Sequence, residues 1–290
     1  MGWMEENSNG NFRNMKQSLF VTGGLGNQMF QYAMILAMKH RGKSVTKNTS
    51  LYDYNPMHNG YMLDTAFGIS DGKCCALFSN LLIIWNRLIR SNRLPFLLYK
   101  EDETRFCDGA FNTKKLYLDG CWINERYFEE IKDKILSTFV FKGIDNRNVI
   151  LSDEMKQCNS VSLHIRRGDY LKNPMYNVCD EDYYVSAITY IKENVEAPKF
   201  YVFSDDPRWC KEFMKKMNVD YSIIEHNSGK DCFKDMFLMT QCRHNIIANS
   251  TFSWWGAWLN LHDEKIVVCP SIWIRGRDFN PCLENWYHIK

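Results

Sequence analysis

The first apolar run with a clear period is Ser18-Leu19-Phe20-Val21-Thr22, which is short and β-prone and stops at Gly23-Gly24-Leu25-Gly26. Beyond it, Met29, Phe30, Ala33, Met34 and Ala37 recur at helical spacing, so the chain opens strand, glycine loop, helix. From residue 160 onward the alternation becomes regular. Strands are predicted over Ser160–Ile165, Phe200–Phe203, Tyr221–Glu225, Asn245–Ala248 and Lys265–Cys269. Helices are predicted between them over Asp182–Asn194, Pro207–Met217, Lys234–Cys242 and Thr251–Leu261. Strands separated by helices form βαβ units on a parallel sheet, an α/β fold. The stretch Cys74–Lys100 is apolar but interrupted by Arg87, Arg90, Arg93 and Lys100, which fits a helix with a basic face. Packing with solvated charges is one role for it, and peripheral contact with an anionic membrane through residues 81–100 is the other.

The 290 residues suit one large or two medium domains. The expected division is a polar, Asn-rich disordered tail over 1–17, a domain over 18–155 and a second over 156–290. A net charge of +2 argues against a nucleic-acid partner, which calls for a strong basic excess. The longest apolar run, Leu81-Leu82-Ile83-Ile84-Trp85, is too short to span a bilayer. No signal-peptide core is visible, and the eleven cysteines are odd in number, scattered and free of Cys-x-x-Cys. They read as reduced thiols of a cytoplasmic protein. The sequons at Asn48 and Asn249 are then chance matches. Oligomeric state is not readable.

Ligands of open parallel sheets bind at the carboxyl ends of the strands, and four predicted strand ends carry unusual polar sets. The loop holding Gly24, Gly26, Asn27 and Gln28 lets backbone approach a ligand at a helix N-terminus. It is neither the dinucleotide fingerprint, since Met29 stands at its last position, nor a P-loop, since Ala37 stands where Gly42-Lys43-Ser44 would require a glycine. A plain strand-to-helix turn is the alternative. In His164-Ile165-Arg166-Arg167-Gly168-Asp169, a buried strand ends in dense charge. The Arg166 guanidinium can hold a phosphate through two parallel hydrogen bonds, and His164 can meet a base or ribose. A structural Arg166–Asp169 ion pair is the alternative, and the Arg167-Gly168-Asp169 tripeptide is too common to indicate adhesion. In Ser204-Asp205-Asp206-Pro207, Asp206 reads equally as a helix cap, whereas Asp205 has no capping duty and could accept from a guanine edge. In Asn249-Ser250-Thr251-Phe252-Ser253-Trp254-Trp255, the hydroxyls of Ser250, Thr251 and Ser253 open a helix and suit a diphosphate, while the aromatic part suits a core. No spacing resembles a metal site.

Together and in this order, Gly-Gly-Leu-Gly-Asn-Gln-Met-Phe-Gln-Tyr, His-Ile-Arg-Arg-Gly-Asp-Tyr, Phe-Ser-Asp-Asp and Asn-Ser-Thr-Phe-Ser-Trp-Trp-Gly-Ala-Trp-Leu resemble the α-1,2-fucosyltransferase family. The resemblance runs from about residue 19 to 275, is strong at the motifs and loose over 45–155, and extends to α-1,6- and protein O-fucosyltransferases. It implies two Rossmann-like domains facing a cleft (GT-B-like), with GDP-fucose as donor, no required metal or other cofactor, and a galactoside glycan as acceptor. It also implies that Arg166 contacts the β-phosphate and that His164 with Asp205 or Asp206 contacts guanine or ribose. Ser250, Thr251 and Ser253 would contact phosphate, and Asn27 would lie near the donor sugar and leaving group. Transfer to the galactose 2-hydroxyl would invert the anomeric carbon. Asp169 is a base candidate by residue type, with orientation of Arg166 its alternative role. The absence of an anchor fits a bacterial-type cytoplasmic enzyme, free or peripheral at the inner face of the membrane. Competing readings are a transferase for another GDP-sugar and a non-catalytic nucleotide-binding protein.

Overall fold

The computed structural model describes residues 16–54, 58–70, 79–91 and 93–290. The tail expected over 1–17 lies almost wholly outside them, as do 74–78 and 92 of the basic stretch.

Two parallel sheets form the frame. The first has the order β2-β1-β4-β3, from β1 (Gln17–Phe20), β2 (Val45–Asn48), β3 (Leu98–Lys100) and β4 (Tyr117–Asp119). The second has the order β10-β9-β8-β5-β6-β7. Its strands are β5 (Ser160–Ile165), β6 (Lys199–Ser204), β7 (Asp220–Ile224), β8 (His244–Ile246), β9 (Val267–Pro270) and β10 (Tyr287–Ile289). Helices cover the sheets, and a cleft separates them. This is the two-sheet Rossmann-like architecture that the motif resemblance implies. Strands β2, β3, β4 and β10 had no counterpart in the hydrophobic pattern, because each is three or four residues long and is broken by a polar residue, Lys47, Lys100, Asp119 or His288, so no apolar run shows.

β5 is central and buried at every position, as a strand covered on both faces must be. Its faces nevertheless differ. Val161, Leu163 and Ile165 pack with Tyr184, Ile188 and Phe213 from the helices Glu181–Asn194 and Pro207–Met217. Ser160, Ser162 and His164 alternate with them, and each is satisfied: the Ser160 hydroxyl donates to Met155 O, Ser162 Oγ accepts from Asn245 Nδ2 at 2.7 Å, and His164 meets Ser253. A polar row inside a parallel sheet is affordable only with such partners.

The helix Thr251–Trp258 joins the two halves. It follows β8 in the second sheet but packs on the helix Leu25–His40, which follows β1 in the first. Trp254 and Trp255 are fully buried, with ring centroids 4.6 and 4.8 Å from Phe30. Their indole N–H groups donate to Pro281 O and Gly26 O, and that of Trp258 donates to Glu125. The helix stops at Trp258, earlier than the pattern suggested. Asn260 is buried just beyond it, and its side chain donates to Cys242 O and Asn245 Oδ1.

The basic stretch contains the helix Ser79–Arg90, on which Ile84 and Trp85 are exposed. Arg90 turns inward, pairing with Asp119 at 2.9 Å, so the arginines do not all share one solvated face. No helix among the described residues is long and apolar enough to cross a membrane.

Candidate active site

A cavity of about 860 Å³ lies in the cleft, between the carboxyl ends of both sheets. Of the residues singled out in the sequence, Gly24, Gly26, Asn27, His164, Arg166, Asp169, Asp205, Ser250 and Thr251 line it. Gln28, Asp206 and Ser253 do not, and each has a different position.

Gln28 is buried behind the glycine loop. Its amide donates to Gly23 O and Gly60 O and accepts from Met62 N at 2.8 Å, tying the loop to the next segment. Gly23 itself sits at φ 81°, the left-handed region where a side chain is strained. A first side-chain carbon on Gly26 would lie 2.5 Å from the Thr251 carbonyl carbon and 2.6 Å from Phe252 N. Glycine here is what lets the loop of one half touch the helix start of the other. Beside it, the Thr251 hydroxyl donates to Asn27 Oδ1 at 2.7 Å.

At the end of β5, burial and the neighbouring Arg166 push the His164 pKa down to about 3, so the imidazole is neutral. Nδ1 lies 2.9 Å from Ser253 Oγ, whose single hydrogen has Nδ1, Ser250 O at 3.3 Å and Ala248 O at 3.5 Å as alternative acceptors. With that hydrogen on a carbonyl, Ser253 accepts from Nδ1–H and Nε2 is an acceptor suited to a hydroxyl. Ser253 thus stands one layer behind the cavity and orients the histidine. Ser250 is the N-cap of its helix, yet its side chain makes no capping bond, so its hydroxyl is not committed to that duty.

Arg166 is held from two sides: its Nη2 pairs with Asp169 at 2.7 Å and its Nη1 with Asp205 at 2.9 Å, with the guanidinium carbon 5.3 Å from the centre of the Tyr170 ring. Asp205 also accepts from Arg167 N at 2.9 Å, so both of its oxygens are already engaged within the loop. Gly168 makes this possible, since a side-chain carbon there would come within 2.6 Å of Asp205 Oδ2. Asp206 caps the helix Pro207–Met217 by accepting from Trp209 N at 3.1 Å, and it pairs with Arg167 at 3.2 Å. Asp169 is more exposed than Asp205.

Residues 98–288 match the family described as Glycosyl transferase family 11. The chain is 36% identical to the alpha-1,2-colitosyltransferase of Escherichia coli over 93% of its own length and 97% of that protein's. It is 32% identical to the O-antigen biosynthesis glycosyltransferase WbnK of Escherichia coli, over 93% and 99%. A shorter match, 35% identical over 34% of this chain and 28% of the relative, is to the human galactoside alpha-(1,2)-fucosyltransferase 1. This chain belongs to glycosyl transferase family 11.

As a family 11 glycosyltransferase it has a cavity wall that the motifs did not reveal. Glu101, directly after β3, is buried, and Asp235, on the helix Phe233–Gln241, is half-buried; both carboxylates line the cavity. Burial pushes each up to about 7. Asp235 accepts from Asn227 Nδ2 at 2.8 Å. Glu101 carried no sequence signal because its strand was not recognised. Had β3 been placed, the rule that ligands gather at strand ends would have pointed to it. Among the described residues, no group of three or more His, Cys, Asp or Glu is placed to hold a metal.

Proposed function

We propose that this glycosyltransferase moves L-fucose from GDP-β-L-fucose to the 2-hydroxyl of a terminal β-galactoside, inverting the anomeric carbon by a single displacement. The observation that carries the reading is the convergence on one cavity of Arg166, the hydroxyls and amides at the start of the helix Thr251–Trp258, and neutral His164. A guanidinium beside a helix N-terminus suits a departing diphosphate, because both favour negative charge at one spot. The two carboxylates preset the fork of Arg166. The exposed one, Asp169, is the partner a phosphate oxygen displaces, while Asp205 keeps its backbone bond and holds the arginine in place. His164 Nε2 accepts a ribose hydroxyl. Asn27, fixed by Thr251, sits where the leaving group and donor sugar meet.

On this reading residues 156–290 hold the donor and residues 18–155 supply the acceptor side. The positive charge at the phosphate comes from the protein, so no metal is required. The relatives' names support α-1,2 transfer, and one of them a galactoside acceptor. Colitose is L-fucose without its 3-hydroxyl, so the 36% identity to a colitosyltransferase makes transfer of that sugar the second reading. The test is GDP release from GDP-fucose, GDP-colitose and GDP-mannose with lactose or N-acetyllactosamine, followed by NMR of the product linkage. Fucose joined α-1,2 to galactose is the expected product. Preference for GDP-colitose selects the second reading, and consumption of GDP-mannose alone overturns both.

A further inference from the structure

We infer that Glu101 is the general base that removes the proton from the acceptor hydroxyl, a role that rests on the transfer reaction proposed above. Five other carboxylates line the cavity. Asp169 and Asp205 are paired with Arg166, Glu225 with Lys211, and Glu103 lies 3.9 Å from Arg277. Glu101 and Asp235 have no cationic partner among the described residues. Asp235 belongs to the second sheet's side, with the donor-facing loops. Glu101 stands on the first sheet's side, across the cleft from Arg166.

The turn facing Glu101 is shaped around its side chain. A carbon on Gly120 would come within 2.5 Å of both Cβ and Oε2 of Glu101, so only glycine admits the carboxylate there. Two residues on, Trp122 is buried at φ 56°, in the left-handed region where a bulky residue is strained. That conformation aims the Trp122 amide at Glu101 Oε2, 2.7 Å away. Strain at a buried tryptophan, serving one hydrogen bond to a carboxylate at a cavity wall, marks that carboxylate as a group held for use.

The groups around it set its proton affinity near neutrality. Burial raises the carboxyl to about 7 and Glu103 pushes the same way, while the Trp122 amide, Tyr127 and the Cys121 amide pull it down. The other titratable groups beside it are Tyr99, Asp102, which is already paired with Arg105, and the Cys121 thiol, which burial and the charges of Glu103 and Glu101 push up. A base with this affinity is matched to work at pH 7. In the step, the acceptor O–H bond breaks and its proton passes to the Glu101 carboxylate. The oxygen's electron pair forms the bond to the sugar C1. The C1–O bond breaks, with its pair leaving on the GDP β-phosphate. Protonated Glu101 then returns its proton to solvent.

Azide is a nucleophile that needs no deprotonation, so it separates a base from a structural support. GDP release from GDP-fucose is measured with lactose and with azide, alongside GDP affinity. In Glu101→Gln the lactose reaction falls about 10²–10³-fold, while azide-driven release and GDP binding match wild type. Wild-type kcat/KM for lactose rises as pH passes through about 7. That limb is lost in Glu101→Gln and kept, with partial activity, in Glu101→Asp. Lactose transfer surviving in Glu101→Gln within tenfold of wild type overturns the proposal. So does loss of the azide reaction and GDP binding together with transfer. A wild-type enzyme that consumes no GDP-fucose with either nucleophile overturns instead the donor assignment, and the base loses the reaction it serves.

Discussion

The Thr251 hydroxyl donates to Asn27 Oδ1 at 2.7 Å, a bond between residues 224 positions apart and on opposite sides of the cleft. It ties the loop after β1 to the helix start after β8, the two strand ends that bracket the proposed leaving group. Thr251→Val, which keeps shape and removes the donor, is expected to lower kcat/KM for GDP-fucose about tenfold, equivalent to ~1.4 kcal/mol. Asn27→Ala combined with it should cost clearly less than the sum of the two single changes, as for partners in contact. Additive losses in a double-mutant cycle would show that the bond does not couple the two residues.

Gly26→Ala places a carbon 2.5 Å from the Thr251 carbonyl carbon, against backbone that cannot rotate away. The two halves must part there. The expected loss is about 1–3 kcal/mol, read as a lower midpoint in urea or thermal unfolding, with donor affinity reduced as well. Unchanged unfolding would mean that the junction yields more easily than its packing implies.

Arg166→Lys should be as damaging as Arg166→Ala, each lowering the rate about 10²–10³-fold. One ammonium cannot face Asp205 and a diphosphate with a planar fork. Near-normal turnover by the lysine variant would remove Arg166 from the phosphate role.

The Asp235 carboxyl is pushed up to about 7 in the folded protein, from an ordinary value of 3.8. A raised folded pKa stabilises the fold fully below the unfolded value, and that contribution disappears as pH climbs through about 7. Asp235→Asn, which can still accept from Asn227, should therefore melt higher than wild type at pH 8. Its advantage should shrink to nothing by pH 4. Thermal scans across that range check the sign, and an advantage that grows toward acid would contradict it.

The second sheet was largely legible because four of its six strands are four to six residues long, rich in apolar residues, and alternate with capped helices; Asp206 before Pro207 is one such cap. The strand ends around His164, Arg166 and Ser250 were legible for the same reason, since dense polarity after a buried strand stands out. Whether such a residue touches the cavity or the layer behind it was not legible. Gln28 and Ser253 carry the same hydrogen-bonding chemistry as Asn27 and Ser250, and only packing puts the first two behind the wall and the latter two on it. Glu101 was hidden for another reason. Its three-residue strand has no period, and its environment is made by Gly120 and Trp122, which become its neighbours only once β3 and β4 are paired.

Trp255, with its ring against Phe30 and its indole N–H on Gly26 O, acts as a clasp at one corner of the cleft. A mouth clasped at a corner cannot gape evenly. Any opening of the cleft is least beside Asn27 and Thr251, whose bond spans that same corner, so the strand ends that meet there keep their spacing.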